Sequence, residues 1–239
     1  MEARNRSLPD WLTKIRTRQI VLPRFQRFEA WSSFQIESLL NTVLKELPAG
    51  AVLTLDIGEK EPFISRPIVT APSSGDKITE HLLDGQQRLT AFWRTLNDTY
   101  EDRLYLIETK EDEDLELPYS ATSVNRYMKN NQLYPLWAST PLGLWQRKYI
   151  PVSLLRPDSE TENRFKEWAK EAAGNDMDMY VEIFTIGNRL RNKFSIFNIP
   201  FLSLPTTTKP EIALDVFIRM NTSSSPLTPF DIVVAQIEA

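Results

Sequence analysis

The chain has 239 residues, no cysteine, one histidine and a formal net charge of −4. Without cysteine there is no disulfide, thiolate metal site or cysteine nucleophile, and a Ser-His-Asp triad could use only His81. A multi-histidine metal centre is likewise impossible, so proton transfer must rely on carboxylates, Tyr, Lys or ordered water. The length suits one large domain or two small ones. The opening MEARNRSLPDW lacks an apolar signal core, and no apolar run is long enough to cross a bilayer. These features predict a soluble, cytoplasmic protein with no membrane partner.

Ser7 is placed to cap a short helix through Trp11 and Ile15, followed by an extended IVLP. Ser32 with Gln35 forms a capping-box pattern, and Ile36, Leu39, Leu40, Val43 and Leu44 share one face of the helix that follows. Pro48 and Gly50 end it. AVLTLDI and FISRPIVT read as strands joined by a turn at Gly58, and ITEHLLD as another. At Asp84-Gly85 the period changes: Leu89, Phe92, Trp93 and Leu96 recur at helical spacing, so QQRLTAFWRTL is predicted to be a helix with one buried face. RLYLIE is the next strand, and an acidic loop closes an α/β portion near residue 116.

From 117 to 239 the pattern is mainly helical, with weak periodicity over 120–147 and helices over 160–173 and 176–193. FNIPFLSLP is a strand or extended connector, EIALDVFIRM a helix, and a last helix begins at Pro229. The fold class is therefore α+β, with an α/β portion over 1–116 and a mainly helical portion over 117–239. The chain stops inside an apolar helix, DIVVAQIEA, which reads as a cut from a longer polypeptide.

Charge is uneven along the chain. Arg4, Arg6, Lys14, Arg16, Arg18, Arg24 and Arg27 crowd residues 1–28, whereas residues 101–116 are strongly acidic. The first is a candidate anion-binding face or a scatter of surface arginines; the second is a solvated loop.

Three stretches could carry chemistry. In DGQQR, Gly85 permits positive φ and a close backbone approach, and the unpaired first-turn amides of the helix favour an anion such as phosphate. Arg88 adds a planar donor fork, although a cation at a helix N-terminus opposes the macrodipole unless an anion offsets it. Gln87 could orient water or a phosphoryl oxygen, and Asp84 could hold Mg²⁺ or cap the helix. A plain structural turn explains the same residues. In LPRFQRFEAW, Gln26 and Arg27 sit amid Phe25, Phe28 and Trp31, as an aromatic cluster or as site residues held by one. In FIRMNTSSSPLTPFD, a helix ends near Met220 and a hydroxyl-rich loop leads to a cap at Ser225 or Thr228; a simple helix-loop-helix link accounts for it.

Together and in this order, these stretches resemble the N-terminal domain of GmrSD-type restriction and phage-defence proteins, whose core is related to ParB and sulfiredoxin. The matching residues are Pro23, Phe25, Gln26, Arg27 and Trp31; Asp84 to Arg88 with Leu89 and Thr90; and Phe217, Arg219, Asn221, Pro226, Leu227 and Asp231. The resemblance implies a ParB/sulfiredoxin-like core that binds a nucleoside triphosphate, with Mg²⁺, and hydrolyses it by attack of water on the γ-phosphate. Gly85, Gln86, Arg88 and Thr90 would contact the nucleotide, Gln26 and Arg27 would close over it, and Arg219 and Asn221 would approach from downstream. Asp84, Gln87 and Arg88 would be the catalytic set, with Asp84 the metal ligand. Its implied partners are DNA, including modified DNA, and a nuclease region carried C-terminally or on a separate chain. Two competing readings are a non-catalytic DNA-recognition module and, ranked last, a nuclease domain. The chain departs from the family where Ser223, Ser224 and Ser225 replace a glycine-containing loop. It contains no GK[ST] sequence, so it is not a P-loop enzyme.

Overall fold

Two serines start the first two helices as their spacing predicts. A computed structural model describes residues 2–109 and 118–221. In it, strand β1 (Glu2–Ser7) runs straight into helix α1 (Leu8–Arg16), where the Ser7 hydroxyl accepts the Asp10 amide. Leu8, Trp11, Leu12 and Ile15 are the buried stripe of α1. Strand β2 (Ile20–Pro23) is buried throughout. The Ser32/Gln35 capping box is formed at helix α2 (Ser33–Leu44), and the five apolar residues expected on one face are its five buried ones.

Next come strands β3 (Val52–Asp56), β4 (Ser65–Arg66) and β5 (Glu80–Asp84), helix α3 (Gln86–Asn97) and strand β6 (Arg103–Glu108). FISRPIVT pairs over Ser65–Arg66 alone: Pro67 has no N–H to extend the ladder, and Thr70 takes a left-handed φ of 64°. Most of the acidic loop lies outside the described residues.

The later half is helix-rich with strands at its start. Strands β7 (Ser120–Asn125), β8 (Tyr127–Lys129) and β9 (Gln132–Tyr134) precede helix α4 (Pro141–Trp145) and strand β10 (Tyr149–Pro151). Helices α5 (Ser159–Ala173) and α6 (Met177–Ile196), strand β11 (Asn198–Leu204) and helix α7 (Pro210–Asn221) follow. The structure is thus α+β. No helix among the described residues is long and apolar enough to cross a membrane.

The chain divides into two interleaved compact units, one from Met1–Trp31, Gly50–Trp93 and the chain from Asn198, the other from Ser32–Ala49 and Arg94–Phe197. The first unit is built on a mixed sheet of order β1-β11-β3-β5-β2-β4. β11 returns late in the sequence to pair parallel with β3 and antiparallel with β1, which makes β3 and β5 interior strands. Its core includes Phe25, Leu53, Leu55, Phe63, Leu83, Leu204, Leu214 and Phe217. Elsewhere in this unit Trp11 meets Phe201 edge-on at 5.4 Å. The Arg6 guanidinium lies over both rings, at 4.2 and 4.3 Å, while binding both oxygens of the buried Glu80 at 2.7 and 2.9 Å.

The second unit contains an antiparallel sheet of order β10-β6-β7, with Leu104, Leu106 and Leu144 in one of its cores. Helices α5 and α6 meet at Gly187, where an added Cβ would fall 1.8 Å from the Phe165 ring. β8 and β9 form a separate hairpin.

Candidate functional site

The candidate site is assembled in the first unit at the passage from β5 to α3. Gly85 has φ +95°, and its amide unit begins the helix, with Leu89 N–H donating to Gly85 C=O at 3.0 Å. A side chain here would also strike Val52, 2.7 Å from an added Cβ. Backbone shape and packing on β3 therefore both require glycine. The side on which a Cβ would stand is filled by protein, so close ligand approach from that direction is excluded.

The two glutamines are used on the LPRFQRFEAW segment. Buried Gln86 donates its amide to Arg27 C=O at 2.7 Å. The Gln87 oxygen accepts from the N–H groups of Ala30 (2.9 Å) and Trp31 (3.2 Å), and its nitrogen donates to Phe28 C=O at 3.2 Å. Arg66 on β4 adds bonds to the carbonyls of Gln26 and Arg27, both 3.0 Å, and lies 4.9 Å from the centre of the Phe28 ring. Gln26 in turn donates to the carbonyls of Leu82 and Leu83 at 2.5 and 3.1 Å. A loop with no ladder of its own is fixed by side-chain amides standing in for peptide groups. Arg66, which gave no local signal in the sequence, is part of that framework. Burial lowers its pKa from the ordinary arginine value.

This framework presents two side chains outward. Arg27 is half-buried and its guanidinium has no partner among the described residues; Phe28 is 75% exposed. Arg88, in the first turn of α3, donates to Ala51 C=O at 2.8 Å and to the Asp84 carboxylate at 3.2 Å. Burial lowers its pKa, with the neighbouring Asp84 acting in the opposite direction, yet a guanidinium remains cationic. The Arg88 guanidinium passes against Gly50, whose φ is +80° and whose added Cβ would come within 2.6 Å of Nη1. Gly50 thus does more than follow a helix.

The downstream stretch joins through its phenylalanine. Phe217 packs on Phe25 with ring centres 5.2 Å apart, and Phe25 on Phe63 at 5.3 Å. Leu83, one residue before the DGQQR box, lies in the same cluster. All three predicted stretches therefore share one core. Arg219 is exposed and paired with Asp215 at 2.8 Å. Asn221 ends α7; its side chain, Ser223 to Leu227 and Asp231 lie outside the described residues. Thr90 is fully buried with its hydroxyl unpartnered. His81, also fully buried, contacts Glu61 through Nε2 at 3.3 Å, and burial outweighs that carboxylate to lower its pKa.

The basic N-terminal residues divide by partner, and Arg18 and Arg24 have no side-chain partner among the described residues. Arg6 and Lys14 both neutralise Glu80, and Arg4 and Arg16 have partners. Arg27 likewise has no guanidinium partner among the described residues, and of Arg18, Arg24 and Arg27 it is the one whose backbone bonds the DGQQR box. The local donor set fits Mg²⁺ only as a companion of phosphates. Asp84 is the carboxylate of the box, and no group of three or more His, Asp or Glu gathers among the described residues. Mg²⁺ commonly combines one or two carboxylates with substrate phosphates and water.

The site is thus a passage from an interior strand through a left-handed glycine to a helix, clamped to an arginine-bearing loop. The chain belongs to the GmrSD restriction endonuclease N-terminal domain family, whose model matches residues 8–238. It is similar to the protein of Methanocaldococcus jannaschii described as uncharacterized protein MJ0686, with 25% identity over 97% of this chain. The chain spans 41% of that relative's length.

Proposed function

We propose that this chain is the nucleotide-binding regulatory domain of a DNA restriction system and that it binds a nucleoside triphosphate at the DGQQR box. The observation that carries the reading is the clamp: Gln86 and Gln87 bring the Arg27 loop onto the first turn of α3, beside Arg88. The N-terminal end of the α3 macrodipole, with Arg27 and Arg88 on the segments that meet there, suits a polyphosphate. Membership of the GmrSD family supports the same reading.

In the proposed reaction, a water oxygen attacks the γ-phosphorus, the bond to the β–γ bridging oxygen breaks, and the nucleoside diphosphate leaves. The water proton passes to phosphate or solvent. Arg27 and Arg88 hold charge on the phosphoryl oxygens, and Mg²⁺ bound with the phosphates would lower that charge near Asp84. Gln87 acts as a positioning residue, because its amide is engaged by the backbone of the 28–31 segment. Gln26 and Gln86 act likewise, through Leu82, Leu83 and Arg27. Hydrolysis or binding then controls a nuclease region elsewhere in the system, which acts on DNA.

Binding of each NTP is measured by calorimetry with and without Mg²⁺, and phosphate release is measured separately. Arg27→Ala, at a surface side chain, is expected to weaken binding by about tenfold, consistent with loss of one charge-assisted contact. Absence of nucleotide binding in both metal conditions overturns the reading.

A further inference from the structure

The hairpin of β8 and β9 is exposed on both of its faces. Tyr127 pairs with Tyr134, Met128 with Leu133 and Lys129 with Gln132. Alternation places the tyrosines, Lys129 and Gln132 on one face and Met128 with Leu133 on the other. Tyr127 is 56% exposed, Met128 65% and Leu133 36%, while Tyr134 at the base is half-buried, so both faces stay open toward the tip. The turn is Asn130-Asn131, with φ +51° and +58°, the left-handed pair that asparagine tolerates in a tight hairpin. The tyrosines stack at 5.5 Å and 12°, stiffening the base of the ribbon. An isolated two-stranded ribbon gains little from its own burial, so leaving apolar side chains on both faces in water calls for an occupant.

Charge identifies the occupant. Residues 118–157 contain no Asp or Glu, yet hold Arg126, Lys129, Arg147, Lys148 and Arg156, in a chain of net charge −4. Arg126, Lys148 and Arg156 pair with Asp98, Glu182 and Asp158, whereas Lys129, next to the turn, has no partner among the described residues. The tip thus offers one ammonium and the amides of Asn130, Asn131 and Gln132. Amides read adenine edges, and an ammonium meets phosphate or guanine.

We propose that the β8–β9 ribbon is a duplex-DNA reading element that inserts into the major groove. A flat protein partner would cover one face of a ribbon; a groove touches both faces and the tip. Strands about 4.8 Å apart fit a B-form major groove about 12 Å wide. The deep, narrow major groove of A-form RNA does not admit them. This inference stands apart from the nucleotide reading: it uses a different unit of the chain and none of the DGQQR residues.

The test is fluorescence anisotropy of the whole chain with a duplex of roughly 20 base pairs over a salt series. The parent chain binds DNA. Lys129→Glu weakens binding about tenfold and lowers the salt slope by about one phosphate contact. The double variant Asn130→Gly with Asn131→Gly keeps the turn geometry, removes the amides and lowers affinity about fivefold. Both variants retain the nucleotide affinity of the parent, measured in parallel, so failure here is distinguishable from failure of the nucleotide site. The proposal is overturned if the parent binds no duplex, if Lys129→Glu leaves the affinity unchanged, or if an RNA duplex binds equally well. The first outcome, with a protein captured on the hairpin instead, would assign the ribbon to protein contact.

Discussion

Arg88 stands where a side chain on Gly50 would have to be. An added Cβ on Gly50 falls 2.6 Å from Arg88 Nη1, and the glycine φ is +80°. The guanidinium is a movable end, so Gly50→Ala is expected to push it off Ala51 C=O and Asp84 rather than unfold the unit. We expect a stability loss of about 1–2 kcal/mol from the left-handed backbone, together with weaker nucleotide binding. In an Arg88→Ala background the same substitution should cost only the backbone part, and a double-mutant cycle by urea unfolding measures the difference. Additive effects would show that the two residues do not constrain each other.

Gln87 makes three hydrogen bonds to the 28–31 segment. Gln87→Ala is expected to cost about 1–3 kcal/mol, at roughly 0.5–1.5 kcal/mol per bond with some replacement by water. Amide exchange at Ala30 and Trp31 should accelerate, and NTP affinity should fall along with turnover. If turnover disappears while exchange at both amides stays at the parental rate, Gln87 orients water after all and the positioning role is wrong.

Acid should weaken the first unit in two stages. Burial works to raise the Glu80 carboxyl, but Arg6 and Lys14 outweigh it and hold it below the usual glutamate range. Its contribution is therefore complete above the unfolded glutamate pKa and is lost as pH falls through the lower folded value. His81 is lowered by burial despite Glu61. Its folded form binds fewer protons, so stability already declines as pH drops through the ordinary histidine range. His81→Leu should flatten that earlier stage. Glu80→Gln should remove about 3 kcal/mol near neutrality, by leaving Arg6 and Lys14 without their shared counter-charge, and much less in acid. Urea unfolding from neutral pH to about pH 2 reads both stages; variant and parent curves that run parallel would contradict the assignment.

Local signals reached the element level well. The serine caps, the five-residue stripe of α2 and the change of period at Gly85 are properties of neighbouring residues, and the structure forms them accordingly. The work of the glutamines was not legible, because an amide side chain bonds whichever backbone the fold delivers. Here that backbone lies 56 to 59 residues away. Arg66 was missed for the same reason: ISRP carries no local mark of a residue that holds a distant loop. Arg6 shows the converse, since its charge is visible in sequence but the Glu80 carboxylate that neutralises it lies 74 residues away. The hairpin at 127–134 escaped notice because six paired residues are too few to establish an alternating pattern.

The interleaving of the two units limits how the chain can be dissected. The polypeptide passes between them at 31/32, 49/50, 93/94 and 197/198. No single cut therefore releases either unit whole, and a truncation from either end removes strands or helices needed by what is left. A protease nick at one surface position of this cysteine-free chain leaves two polypeptides that both supply segments of the first unit, so only the packing of that unit would hold them together. Function would have to be separated by point substitution, with the chain kept intact.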